Sequence, residues 1–268
     1  LKWFMNINTI PLNIQASFGI PLKFSIIYLQ TIQIMIFSIF FIIVLFYSIV
    51  FHEIAHGYAA YRNGDMTAYN AGRLTLNPIK HVDIFGSVLV PLILFITNSP
   101  YLFGWAKPVP YNPSNFKNNK YAEIEVASAG VLVNLFLVFI SVLAFHALNY
   151  FNILNQDIVG LIKIIAQINI FLAFFNLLPF PPADGFSIFS ELYLLFKDFY
   201  LKIKNTVSKN KEYRVNYGNF EHIKDRTYIY RIKSLFSNPF LMFLIIVVAV
   251  NVFSYLAPYI LILLNSLF

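Results

Sequence analysis

The fold class this sequence predicts is an all-α polytopic membrane protein. It comprises about four transmembrane helices, a re-entrant segment and a short membrane-embedded β element. Three observations lead there. The 268 residues are 59% hydrophobic and only 12% charged, with a mean hydropathy of +0.68, whereas soluble domains are about a quarter charged. Several uncharged runs reach the roughly 20 residues that a helix needs to cross a bilayer. One such run is broken by glycines and prolines, which a spanning helix rarely carries in that number.

Residues 1–24 form a polar-to-interfacial lead with Lys2, Pro11, Pro21 and Lys23. From Phe24 to Phe51 no charge occurs, so one long helix is expected from about Ser25 to Arg62, closed by an αL cap at Asn63-Gly64. The run is too long for the core of a signal peptide and is expected to be retained. Arg73-Leu74-Thr75-Leu76 alternates and is bounded by Asn77-Pro78, which reads as a strand or hairpin arm. Ile84 to Ala106 is uncharged but interrupted by Gly86, Pro91, Pro100 and Gly104. Further spans are expected over about 122–150, 158–180 and 238–264. These divide the chain into the lead (1–24), a membrane core (25–190), a basic segment (191–237) and a final helix (238–268).

Residues 197–233 hold ten Lys/Arg against four Asp/Glu. With Lys107, Lys117 and Lys120 they mark the cytoplasmic side, since positive charge stays inside. Tyr150 to Asp157 has neither Lys nor Arg and belongs outside. If the first span also ends inside, parity forbids a full crossing by 84–106, hence the re-entrant assignment. In a membrane protein the net charge of +7 reports such loops and anionic lipid rather than nucleic acid.

The chemistry concentrates in His52-Glu53-Ile54-Ala55-His56. On a helix, residues i and i+4 share a face, so His52 and His56 can offer two imidazoles to one metal. Glu53 projects about 100° from His52 and can act on a water without being a ligand. H-E-x-x-H is the zinc-hydrolase pattern, with its Glu as general base. An ionisable cluster at membrane depth is expensive unless coordinated or paired. With no cysteine in the chain, a metal must be held by His and carboxylate, and a third protein ligand is needed. Asp184 lies after a Pro-rich bend at the inner end of the fourth span, on the same side as the histidines. On its own it reads as an interfacial loop acid; beside H-E-x-x-H it is the favoured third ligand.

Four blocks, HEIAHGYAAYRNGD, AGRLTLNPIKH, FGWAKPVPYNP and FNLLPFPPADG, occur in this order over about residues 45–186. Together they resemble the site-2 protease family of intramembrane zinc metalloproteases, closest to its compact bacterial branch without a PDZ domain. The resemblance implies one Zn²⁺ per chain on His52, His56 and Asp184, with Glu53 as base and Asn176 helping to hold the substrate carbonyl or oxyanion. It also implies a membrane-protein substrate, a bacterial cell membrane and an active site facing the cytoplasm. Ser128 to Asn134 is similar to the family's AGPxxN stretch, with Val131 in place of Pro. Ala183 replaces the commoner Leu, and Phe186 stands where a small residue is usual.

His81 reads as a turn-forming interfacial residue, as a hydrogen-bond donor behind the metal ligands or as an accessory ligand, His146 as a packed helix residue and His222 as solvated. Arg73 reads as an interfacial anchor or a carboxylate partner. Two other functional classes are carried alongside. A catalytically silent scaffold would be favoured by loss of any of the four motif residues, all present. A zinc transporter would spread polar residues along several spans, whereas here they gather at one end. Substrate, trigger and oligomeric state are not encoded in any recognisable motif.

Overall fold

The computed structural model describes residues 22–97, 104–117, 119–207, 225–229, 231–235 and 239–268. The chain divides into two compact units, Leu1–Ile43 and Val44–Phe268. The described part of the first unit is the N-terminal portion of helix α1 (Leu22–Arg62). The second unit holds the rest of α1 and every element below.

α1 ends where the sequence predicts. Asp65 N–H donates to Ala60 O (3.0 Å) and Gly64 N–H to Tyr61 O (3.0 Å), with Gly64 at φ +100°, so the last carbonyls are satisfied as in a Schellman cap. A short helix α2 (Thr67–Asn70) follows. Asp65 is fully buried and its carboxylate gathers the surrounding loops. It accepts from Thr67 N (3.1 Å), Thr67 Oγ1 (2.5 Å), Asn115 Nδ2 (2.7 Å) and Asn112 N (2.7 Å).

Among the described residues there is no strand, which corrects the expectation for 73–76. Side chains and local turns take the hydrogen bonds a ladder would need. Arg73 N–H donates to Ala68 O, Thr75 O accepts from His81 Nε2 (2.9 Å) and Thr75 Oγ1 from Asn77 N (3.2 Å). A 3₁₀ turn, Pro78–His81, then leads on, capped by the Asn77 side chain.

Ile84–Leu89 is a six-residue π-helix, followed by the seven-residue helix α3 (Val90–Ile96). These are too short to cross a hydrocarbon core about 30 Å thick. The chain then returns to its point of departure. Trp105 N–H donates to Gly86 O (3.1 Å), and Ser87 Oγ donates to Trp105 O (2.8 Å).

Helix α4 (Ala122–Tyr150) packs on α5 (Gln156–Asn176) and on α6 (Asp184–Val207). Its buried stripe is small or polar, with Ala122, Val126, Gly130, Asn134, Val138 and Ser141, while Phe136 and Phe139 face outward. That is the membrane pattern, in which small residues permit close helix approach. The Asn155 side chain caps α5 by accepting from Ile158 N (2.8 Å), and Pro179, Pro181 and Pro182 prevent its continuation.

Three described helices are long and apolar enough to cross a membrane, Tyr28–Arg62, Ala122–Tyr150 and Gln156–Asn176. The last helix, α7 (Pro239–Asn265), has 27 residues and no charge, and its Leu264 packs against Val138 and Ala166. Lys163, a charge within α5, reaches this end of the chain through Asn265 Oδ1 (3.4 Å) and the ring of Phe268. α6 runs straight through the sequence boundary drawn at 190/191.

Candidate metal centre

The last turns of α1 present Ser48, His52 and His56 to α4 and α5, one helical turn apart on a single face. Their contacts fix the protonation of the histidines. The chain of inference starts at a backbone carbonyl, whose role is unambiguous. Ile165 O can only accept, so the Asn169 atom 2.8 Å from it is the amide nitrogen, which also donates to Ser48 Oγ (3.0 Å). Asn169 Oδ1 therefore accepts from Asn134 Nδ2 (2.9 Å). Asn134 Oδ1 is thereby turned to His52 Nδ1, 2.6 Å away, which must carry the hydrogen. His56 Nδ1 likewise faces Val126 O at 2.7 Å.

In the neutral rings both Nε2 atoms are then lone pairs. They lie 3.0 Å from each other and 3.1 Å from Asp184 Oδ2. That buried oxygen has no hydrogen-bond donor of its own. Three acceptors face one another, which is unfavourable unless a positive charge sits among them. The spacings fall just short of the roughly 3.3 Å separating two tetrahedral ligands bound at 2.0–2.1 Å. Two imidazoles and one carboxylate are a hydrolytic zinc donor set that leaves a coordination position open. Among the described residues, this is the cluster of His and carboxylate groups suited to an ion.

Two glycines hold the triangle together. A Cβ on Gly130 of α4 would collide with the ring atoms of both His52 and His56. A Cβ on Gly185 would strike the Leu177 carbonyl at the end of α5. Asp184 is the first residue of α6. The close approach of Gly185 therefore presses that helix start against α5 and sets where the carboxylate lies. Only a residue without a Cβ allows this close packing.

Glu53 is the neighbour of His52 on α1, and its Oε2 accepts from Val109 N (2.8 Å). Val109 belongs to an irregular run that Lys107 anchors twice, by its N–H to His81 O (2.9 Å) and by its carbonyl to Arg73 Nη2 (2.6 Å).

The other candidates lie outside the triangle. Asn176 Nδ2 donates to Leu172 O of its own helix (3.0 Å). His81 is buried and clamps Thr75 O, joining no metal-ligating cluster among the described residues; the turn-forming reading is the one it fits. Arg73 is buried and serves the Lys107 carbonyl. His146 is exposed beside Phe145, not packed. His222 lies outside the described residues.

Sequence reasoning assigned no role to Asn134, Asn169, Ser48, Gly130 or Val109. The available signal was polarity, because amides inside apolar helices at membrane depth need a partner.

Comparison with known proteins follows the geometry. The profile of Peptidase family M50 matches residues 146–210, which include Asp184. YwhC of Bacillus subtilis (strain 168), provisionally named a zinc metalloprotease, is 40% identical over 156 residues. That match covers 56% of this chain and 68% of YwhC. The chain belongs to Peptidase family M50. This is the site-2 protease family that its motifs resemble, and M50 membership accords with its apolar helices as those of a membrane protein. No solved structure matches.

Proposed function

We propose that this M50 member is an intramembrane zinc metalloprotease that hydrolyses peptide bonds in or near the transmembrane segments of membrane proteins. The observation that carries the reading is the convergence of three donor-less acceptors, His52 Nε2, His56 Nε2 and Asp184 Oδ2, at 3.0–3.1 Å. These residues would hold one zinc ion per chain. When bound, zinc supplies Lewis acidity, lowering the pKa of water toward about 7 and polarising a carbonyl.

The chain supplies the rest. Glu53 takes the proton from the attacking water and returns it to the leaving amine, as a general base that becomes a general acid. Val109 N–H holds one carboxylate oxygen and leaves the other for the proton. Asn134 and the Val126 carbonyl keep the imidazoles in the ligating tautomer. In this reading Asn176 releases its own-helix contact to donate to the substrate carbonyl.

The location supports the same function. In this reading the inner ends of α1 and α5 lie on the cytoplasmic side of a bacterial cell membrane, the side that Lys/Arg-rich loops favour. There 84–106 enters and leaves by one face, α7 is the fourth crossing, and water reaches the site from the cytoplasm. A helical substrate must unwind to expose its amide, which a site at a span's end favours.

The test is cleavage of a membrane-embedded model substrate by the purified protein in liposomes. Loss of cleavage with a chelator and recovery with one equivalent of Zn²⁺ are expected. Chelator-resistant cleavage, or zinc flux into the liposomes set by this protein, would contradict the proposal.

A further inference from the structure

α6 is amphipathic in the reverse sense to a soluble surface helix. Phe189, Tyr193, Phe196, Tyr200 and Ile203 recur at spacings of four and three and are 49%, 54%, 69%, 62% and 50% exposed. They form one stripe about 80° wide at 100° per residue. On the opposite face Glu191 and Leu194 are buried, at 7% and 2%, and Glu191 meets Arg226 Nη2 (3.4 Å). The helix thus turns its aromatics outward and a carboxylate inward. In water so long an apolar patch would be an aggregation liability.

The helix is nevertheless no span. It carries Glu191, Lys197, Asp198 and Lys202 and is not among the helices apolar enough to cross. Only the Leu177–Ala183 turn separates it from α5, which is. It therefore begins where a span leaves the hydrocarbon. Tyrosine, with an apolar ring and a polar tip, is the side chain favoured at that depth.

We propose that α6 is an interfacial helix, lying in the plane of the bilayer with the Phe189–Ile203 stripe sunk into the headgroup–acyl boundary. A strongly amphipathic helix so placed buries its apolar face about 5–10 Å deep. Because Asp184 is its first residue, the depth of the helix also fixes the depth of that carboxylate.

The chain has no cysteine, so single labels can be placed without background. Spin labels on Phe189→Cys, Tyr193→Cys, Phe196→Cys and Tyr200→Cys report collisions with oxygen and with a water-soluble nickel chelate in phosphatidylcholine–phosphatidylglycerol liposomes. Asp198→Cys is the control on the opposite face, and circular dichroism checks the fold of each variant. The expected result is oxygen access exceeding nickel access at all four stripe positions, at one common depth, and not at 198. Three results would overturn the proposal. Nickel access dominating along the stripe would put it in water. A depth changing by about 1.5 Å per residue would make α6 a crossing helix. Mutual dipolar broadening with neither reagent admitted would mean a second copy covers it.

Discussion

Asn134 Oδ1 lies 2.6 Å from Nδ1 of His52, joining positions 82 residues apart in the sequence. Through Asn169 and Ser48 the contact belongs to a chain of hydrogen bonds with one sense of direction, and its outcome in the neutral ring is a lone pair on His52 Nε2. Partners of this kind orient a ligand and raise its basicity, and removing them typically weakens metal affinity 10–100-fold. Asn134→Ala is accordingly expected to weaken zinc binding by about that factor, measured by competition with a chromophoric chelator. Asn134→Asp, which keeps an acceptor at Nδ1, is expected to recover part of the loss.

Gly130→Ala sets helix propensity against the site. Alanine stabilises a helix interior by about 1 kcal/mol relative to glycine, yet here the new methyl collides with both imidazoles. The expected outcome is unchanged helix content by circular dichroism with bound zinc falling well below one equivalent. Full zinc occupancy would mean that α1 and α4 separate more easily than the structure implies.

Burial acts to raise the Asp65 pKa, but hydrogen bonds from Thr67, Asn115 and Asn112 hold it below the ordinary carboxylate range. A depressed carboxylate contributes stability that is present above its unfolded pKa and lost as pH falls through the folded one. Asp65→Ala strands several donors at once and is expected to destabilise the protein by about 2–4 kcal/mol. Thermal unfolding in detergent checks this, and the deficit against wild type should narrow at acid pH.

Glu191 has the opposite sign. Burial, reinforced by Glu123 beside it and opposed by Arg226, raises its pKa from 4.5 to about 7. Between those values the folded chain keeps a proton that the unfolded chain releases, so stability from this group declines as pH rises through that window. Glu191→Gln should flatten the dependence of Tm on pH between about 5 and 8. An unchanged slope would place the raised pKa elsewhere.

The convergence of His52, His56 and Asp184 was partly legible in the sequence. His52 and His56 share a face through helix periodicity alone, whereas Asp184 on its own reads as a loop acid and stands out only beside H-E-x-x-H. The end of α1 was legible too, since Asn63-Gly64 is a local signal. Arg73–Leu76 misled because alternation records only a preference; no partner strand occurs among the described residues, and His81 and Asn77 took the bonds instead. The Asn134–Asn169–Ser48 chain was hidden for a different reason. Its members lie on three helices, and nothing local in any one of them specifies the other two. α6 was read as the start of a basic segment, because charge was counted along the chain rather than around the helix.

The central claim, a zinc-dependent hydrolase with Glu53 as base, is tested most directly by comparing wild type with Glu53→Gln on one transmembrane substrate in liposomes, with bound zinc measured in both. The account predicts equal zinc in the two proteins and cleavage by wild type alone, the variant being slower by at least the 10²–10⁴-fold that a general base contributes. Equal cleavage rates at equal zinc would contradict it.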